Sequence, residues 1–269
     1  MSDANPPVAE LGITAEDMSV ESTAEGIERL FGQSFEVRRL ENGKPIPVGG
    51  SNRFTDVLDR EVVGDFDHFE PLLQEMHADI TTQDTPGLKQ WLEAQQLPID
   101  SKLLAILTAF TRKLTKRYPI TPENVTARRD MYAESEKGKA VKLSDVFEGQ
   151  SPECAEIAAL AQYFLQDEGV KSSYFSGEVL WDIGDEFGEK HSFIVIEDKD
   201  RQYIFDPANP TKTQGGMYPS LYTVKADFDT EVRKGQKRYV AGTNILTRRE
   251  AFYGVGNGTN VLPTNIVAQ

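Results

Sequence analysis

The apolar pattern of this chain changes period partway along, and that change limits what it can fold into. Up to about Gly169 the large apolar residues recur every three or four positions, as on one face of a helix. Beyond it they fall in short strand-like runs. Asp67 precedes Phe69, Leu72, Leu73 and Met76, and the spacing predicts a helix capped by that aspartate. Thr85-Pro86 places a cap before a first-turn proline, ahead of Leu88, Trp91 and Leu92. Asp100 caps the longest stretch, where Leu103, Leu107, Phe110, Leu114 and Tyr118 share one face and Pro119 and Pro122 end it. Ser151-Pro152 opens a further helix whose stripe is Ile157, Leu160, Ala161, Phe164 and Leu165, with Gly169 as its stop. The strand-like runs that follow are Val170 to Tyr174, Glu178 to Ile183, His191 to Glu197, Gln202 to Phe205, Leu221 to Val224, Arg238 to Ala241 and Ala251 to Gly254. Helices first and antiparallel strands later predict an α+β domain.

Three regions carry less pattern. Residues 1–30 are acidic, with Pro6-Pro7 and few large apolar groups, and read as a flexible tail. Residues 31–65 are broken by Asn42-Gly43, Pro45, Pro47 and Gly49-Gly50, and read as irregular with room for a short hairpin. Residues 123–141 read as a polar loop, and Gly254 to Thr259 as a turn with no helix behind it. The expected organisation is a tail over 1–30, a mostly helical extension over 31–98 and a main domain over 99–269.

Charge removes whole classes of partner. The 269 residues include 43 acids against 29 Lys and Arg, a formal charge of −14, so nucleic acid is not an expected partner. The basic run Arg112-Lys113-Leu114-Thr115-Lys116-Arg117 reads as a solvated helix face. No stretch approaches the roughly 20 apolar residues of a membrane span, and no basic start followed by an apolar run marks a standard signal peptide. Cytoplasm is the default location, with secretion by another route left open. HExxH, a Cys/His cluster and an EF-hand loop are all missing from the sequence, so neither a metal nor a cofactor is expected. One cysteine among 269 residues allows no internal disulfide.

A free cysteine is commonly a small buried hydrophobe. What sets Cys154 apart is its position. With Ser151 as cap it falls in the first helical turn, where unpaired N–H groups and the helix dipole favour a thiolate. His191 begins a strand, whereas His68 and His77 fall on the first helix. Asp206 closes the next strand, and Asp198-Lys199-Asp200-Arg201 between them has hairpin-turn composition. With Lys199 and Asp200 at the turn centre, 198 pairs with 201 and 193 with 206. His191 and Asp206 then become diagonal neighbours on one face, about 7–8 Å apart at Cα. A thiol nucleophile needs a base to take its proton, and the base needs a partner that fixes its tautomer.

The run Leu103 to Pro210 resembles the core of the transglutaminase-like superfamily. It has a long helix ending in tyrosine (Leu103 to Tyr118), a lead-in (Leu143-Ser144-Asp145-Val146-Phe147) and a cysteine helix (Cys154-Ala155-Glu156-Ile157-Ala158-Ala159-Leu160). Gly169-Val170 then leads into a strand towards Gly177, followed by His191-Ser192-Phe193-Ile194-Val195 and Phe205-Asp206-Pro207. The resemblance implies a papain-like fold, a helical layer packed on an antiparallel sheet, with Cys154, His191 and Asp206 as catalytic residues. Two departures stand out. Pro152 occupies the place of the family's usual glycine, and Gln150 resembles the glutamine of papain-like sites at a shorter spacing. Gln150 and the Cys154 backbone N–H are the oxyanion candidates. Trp181, between the cysteine helix and His191, either lines the cleft or fills the core.

The resemblance implies acyl transfer from a carboxamide of a protein or peptide substrate through a thioester. Hydrolysis, by a peptidase or a glutamine deamidase, is the favoured outcome. A protein-crosslinking transglutaminase and a non-enzymatic binding module on the same fold are the alternatives. Nothing in the sequence fixes the oligomeric state.

Overall fold

The computed structural model describes residues 40–46, 62–82, 85–119, 141–149, 152–182, 184–185, 188–199, 201–214, 216–224, 231–234 and 237–255. The expected tail, the 123–140 part of the polar loop and the turn beyond Val255 lie outside the described residues. Five helices are labelled in chain order: α1 (Glu70–Thr82), α2 (Thr85–Ala94), α3 (Ser101–Arg117), α4 (Leu143–Glu148) and α5 (Cys154–Asp167). Two short strands, β1 (Val62–Val63) and β2 (Val141–Lys142), pair in parallel. The main sheet contains β3 (Ser172–Leu180), β4 (Glu189–Asp198), β5 (Arg201–Thr213), β6 (Gly216–Val224), β7 (Glu231–Lys234), β8 (Lys237–Asn244) and β9 (Glu250–Val255). The α+β class expected from the sequence is the class observed. Among the described residues no helix is long and apolar enough to cross a membrane.

Local signals account for most of the helix ends. The Asp100 carboxylate accepts from the Lys102 and Leu103 N–H groups and starts α3, as its spacing predicts. Gly169 takes φ +68° just beyond α5, a left-handed position that glycine fills without a Cβ clash. Asp67 departs from expectation. The chain first makes a 3-10 turn over Phe66–Phe69, preceded by Asp65, before α1 begins. Asp67 instead receives the Asn42 amide at 2.7 Å. Asp65 reaches across to α4, accepting the Ser144 N–H at 2.9 Å.

The sheet is more than an open layer. Its strands run β6-β5-β4-β3-β9-β8-β7, and β6 also pairs with β8, at Tyr222↔Asn244, Thr223↔Thr243 and Val224↔Gly242. That pairing closes six antiparallel strands into a ring, with β7 on β8. Period-two alternation then divides the strand residues between two cores. Phe175, Val179, Phe193, Val195, Ile204, Tyr222 and Tyr253 form one cluster. Tyr174, Ile194, Ile196, Tyr203, Phe205 and Leu221 join the helices in another. The helical cluster is continuous from Leu40 and Ile46 through α1 to α5. Phe110 of α3 stacks on Phe164 of α5 at 5.8 Å and meets Phe205 of β5 edge-on at 6.3 Å, joining three elements at one point.

Two runs expected as separate strands, 170–174 and 178–183, are one strand, β3. Ser176 and Gly177, which lie between the two runs, pair with Ser192 and His191 of β4. A Cβ on Gly177 would lie 2.3 Å from the Gly254 carbonyl oxygen of β9 and 3.1 Å from the Phe193 ring. The glycine therefore allows β9 to close on β3 beside His191. Gly177→Ala is expected to lower unfolding free energy by about 1–3 kcal/mol through overpacking, measured by urea denaturation. Wild-type stability in that variant would show that the strands do not approach this closely.

Candidate active site

Cys154 is the first residue of α5, one position into the helix. The expected start two residues earlier, with Pro152 in the first position, is overturned. Ser151 lies outside the described residues, and Pro152 precedes the helix without occupying its first position. The boundary is set by Glu153, which is extended at φ −110° and ψ −169° and whose carbonyl accepts the first helical N–H, from Ile157, at 3.0 Å. Glu156 turns back to take the Glu153 N–H at 3.0 Å, half of a capping box built from glutamates. Cys154 thus sits closer to the helix N-terminus than its sequence suggests, among the N–H groups that lack intrahelical partners. Ile157 and Ala158 take the core positions, and Cys154 retains 9% exposure.

The β4–β5 hairpin has the even register expected of it. Asp198 pairs with Arg201, and the ladder continues to Ile194↔Phe205. Lys199 adopts φ +59° in the turn. The hairpin is tied to the start of α3, where the Pro98 carbonyl accepts from Arg201 at 3.0 Å and from the Tyr203 hydroxyl. With that parity, His191 and Asp206 meet. His191 Nε2 lies 2.8 Å from Asp206 Oδ2, with the carboxylate fully buried and the ring nearly so. Cys154 acts on the same imidazole and is one of the groups that raise it. Nε2 is engaged by Asp206 and Asn209, which leaves Nδ1 as the ring nitrogen free to exchange a proton with a nucleophile.

Two further residues hold the carboxylate, and neither is picked out by the sequence. Asn209 donates its backbone N–H to Asp206 Oδ1 at 3.3 Å and its side-chain amide to Oδ2 at 3.1 Å. Its local signal is the Asp-Pro-Ala-Asn turn composition. The strand continues past Pro207, but the β5–β6 register shifts between Asp206 and Thr211. Both prolines, which lack an N–H, fall in that irregular stretch. Tyr253, on β9, donates its hydroxyl to Asp206 Oδ2 at 3.2 Å. Burial and the Asp206 charge push the Tyr253 hydroxyl well above its ordinary range, so it remains a donor. No local signal could have linked Tyr253 to a residue on a strand 47 positions earlier.

Trp181 settles between its two expected roles. It lies just past the end of β3 with 39% of its surface exposed. Its ring meets His191 edge-on at 5.9 Å, and Nε1 donates to Glu189 at 3.2 Å. The core role is therefore overturned, and Trp181 stands at the solvent side of the imidazole. Gln150 lies outside the described residues. His68 and His77 are half-exposed and pair with Glu148 and with Asp167 and Glu168, away from the cysteine.

Burial opposes a charge on His191, but the Asp206 carboxylate, through charge and hydrogen bond, and Cys154 together outweigh it. They raise the ring from 6.5 to about 10. Chemically, a thiol at a helix start can attack a carbonyl, and a protonatable imidazole beside it, oriented by a buried carboxylate, can then protonate the leaving group.

No protein-family model matches the chain, and no curated protein matches it. Among solved structures it is similar to a cysteine-to-glutamine variant of an arylamine N-acetyltransferase from Mycobacterium smegmatis, at 17% identity and a TM-score of 0.29. That match covers 61% of this chain and 63% of the other. The arylamine N-acetyltransferase from Salmonella typhimurium gives 12% identity and a TM-score of 0.30, over 57% of this chain and 65% of that one. A second M. smegmatis structure gives 17% and 0.28, over 61% and 62%. The chain thus spans less than two-thirds of the length of each of these proteins.

The sign of the proton linkage follows from the raised value. The His191 contribution to stability is complete below pH 6.5 and is lost as pH rises through about 10. NMR of the ring should show a titration midpoint near 10, and Asp206→Asn should bring it down by removing the charge. A midpoint near 6.5 in both proteins would contradict this electrostatic account.

Proposed function

We propose that this protein is a cysteine-dependent acyl-transfer enzyme acting on carboxamides of a protein or peptide substrate. The observation that carries the reading is the buried 2.8 Å His191–Asp206 contact, with Cys154 at a helix start acting on the same ring. Cys154 Sγ, deprotonated by His191, attacks the carboxamide carbon. The backbone N–H of Cys154 is a candidate donor to the developing oxyanion. His191 returns the proton to the nitrogen, the C–N bond breaks, and amine or ammonia leaves a thioester on Cys154.

In the second half, His191 takes a proton from the acceptor, which attacks the thioester and frees the thiol. Water is the acceptor we favour, on the strength of the sequence resemblance, which makes the enzyme a peptidase or glutamine deamidase. An amine acceptor would make it a transglutaminase or another N-acyltransferase. Asp206 acts by holding Nε2, so that Nδ1 handles the proton in both halves. Trp181 lines the solvent side of the site.

Two measurements test this. Iodoacetamide should alkylate Cys154 well below pH 8, about tenfold or more faster than in His191→Ala. Equal and slow rates in the two proteins would sink the enzyme reading and leave a binding module. Incubation with a glutamine-containing protein mixture and a labelled primary amine, followed by mass spectrometry, separates cleavage, deamidation and amine incorporation. Each should vanish in Cys154→Ala.

A further inference from the structure

The basic run on α3 is solvated at Arg112, Lys116 and Arg117, as expected, but its cations divide between two sides of the helix. Lys113 faces α1, 3.6 Å from Glu75 and 3.3 Å from Asp79, and Arg117 reaches Glu75 at 4.0 Å. Arg112 and Lys116, also one helical turn apart, point elsewhere. They line a cleft of about 710 Å³ whose apolar walls include Pro119, Pro210 and Met217. The Arg112 guanidinium lies 5.1 Å from the centre of the Tyr218 ring, a contact that fixes its direction. Among the described residues neither Arg112 nor Lys116 has a carboxylate partner, in a chain whose formal charge is −14.

Two cations left unneutralised beside apolar walls, in a protein with excess acid, suit one kind of ligand. We propose that this cleft binds a small organic anion, its charge between Arg112 and Lys116 and its apolar body against Met217 and the prolines. Cys154 does not line the cleft, but the cleft is not isolated from the site. Asn209 lines it and also holds Asp206 through two donors. A ligand seated there touches the residue that clamps the carboxylate behind His191. The proposal does not require Cys154 to be catalytic.

Binding can be read directly by titration calorimetry on the intact protein with phenyl phosphate and phenylacetate, using benzyl alcohol as the uncharged control. One or both anions should bind saturably at one site, and the alcohol should not. The phosphate and the carboxylate distinguish a dianionic from a monoanionic ligand. Arg112→Gln and Lys116→Glu should each weaken binding about tenfold, the scale of one charge-assisted contact. Lys113→Gln, which changes the net charge but faces α1, should leave it unchanged. Circular dichroism of each variant confirms the fold. Failure of both anions to bind, equal binding of the alcohol, or equal loss in Lys113→Gln would overturn the proposal. Because alkylation of Cys154 is a separate measurement, either reading can fail without the other.

Discussion

Asp206 has no exposed surface, and an ionised carboxylate without water needs its oxygens occupied by donors or cations. Here His191, Asn209 and Tyr253 occupy them, and each comes from a different part of the sheet. The imidazole belongs to the neighbouring strand, the amide to the irregular stretch of the same strand, and the hydroxyl to β9. Satisfying one buried charge therefore requires the hairpin register, the shift after Asp206 and the β3–β9 pairing all at once. Among the described residues the thiol of Cys154 is the member of the site supplied by the helical layer, and it acts on the ring that Asp206 holds.

The helix side solves a different problem. A cysteine at the first position of α5 has no preceding helical turn to shield it, so the chain before it must be held in place. Glu156 does this by turning back to the Glu153 N–H, and it is itself fully buried. Ala158, Ala159 and Ala161 in the helical core allow α5 to lie close to the sheet. The thiol is thus placed by backbone geometry at a helix start, in a buried position that keeps 9% exposure.

Much of this was legible in the sequence because the signals are local. The Asp100 cap, the Gly169 stop and the Asp198–Arg201 turn each depend on a few adjacent residues, and the turn alone fixes which strand positions share a face. That is why His191 and Asp206 can be paired from sequence. The start of α5 was misread because Ser-Pro is a strong cap signal, and the glutamate box that replaces it is weaker. Ring closure by β6–β8, the Tyr253 hydroxyl and the exposed position of Trp181 depend on contacts between distant segments. No spacing or composition encodes those. The alternation of β3 was hidden by Ser176 and Gly177, whose small size serves a close approach of β9 that only the assembled sheet reveals.

The donors on Asp206 also arrive at different times. His191 and Asp206 lie 15 residues apart in one hairpin, whereas Tyr253 follows Asp206 by 47. A ribosome adding about 5–20 residues per second delivers the thiol and the hairpin seconds before β9 exists. Until β9 pairs with β3, the carboxylate lacks its last donor and the ring of strands stays open. From the addition of Cys154 until that of Tyr253 the growing chain therefore carries its cysteine beside an unfinished clamp, and the last donor to Asp206 comes only with β9.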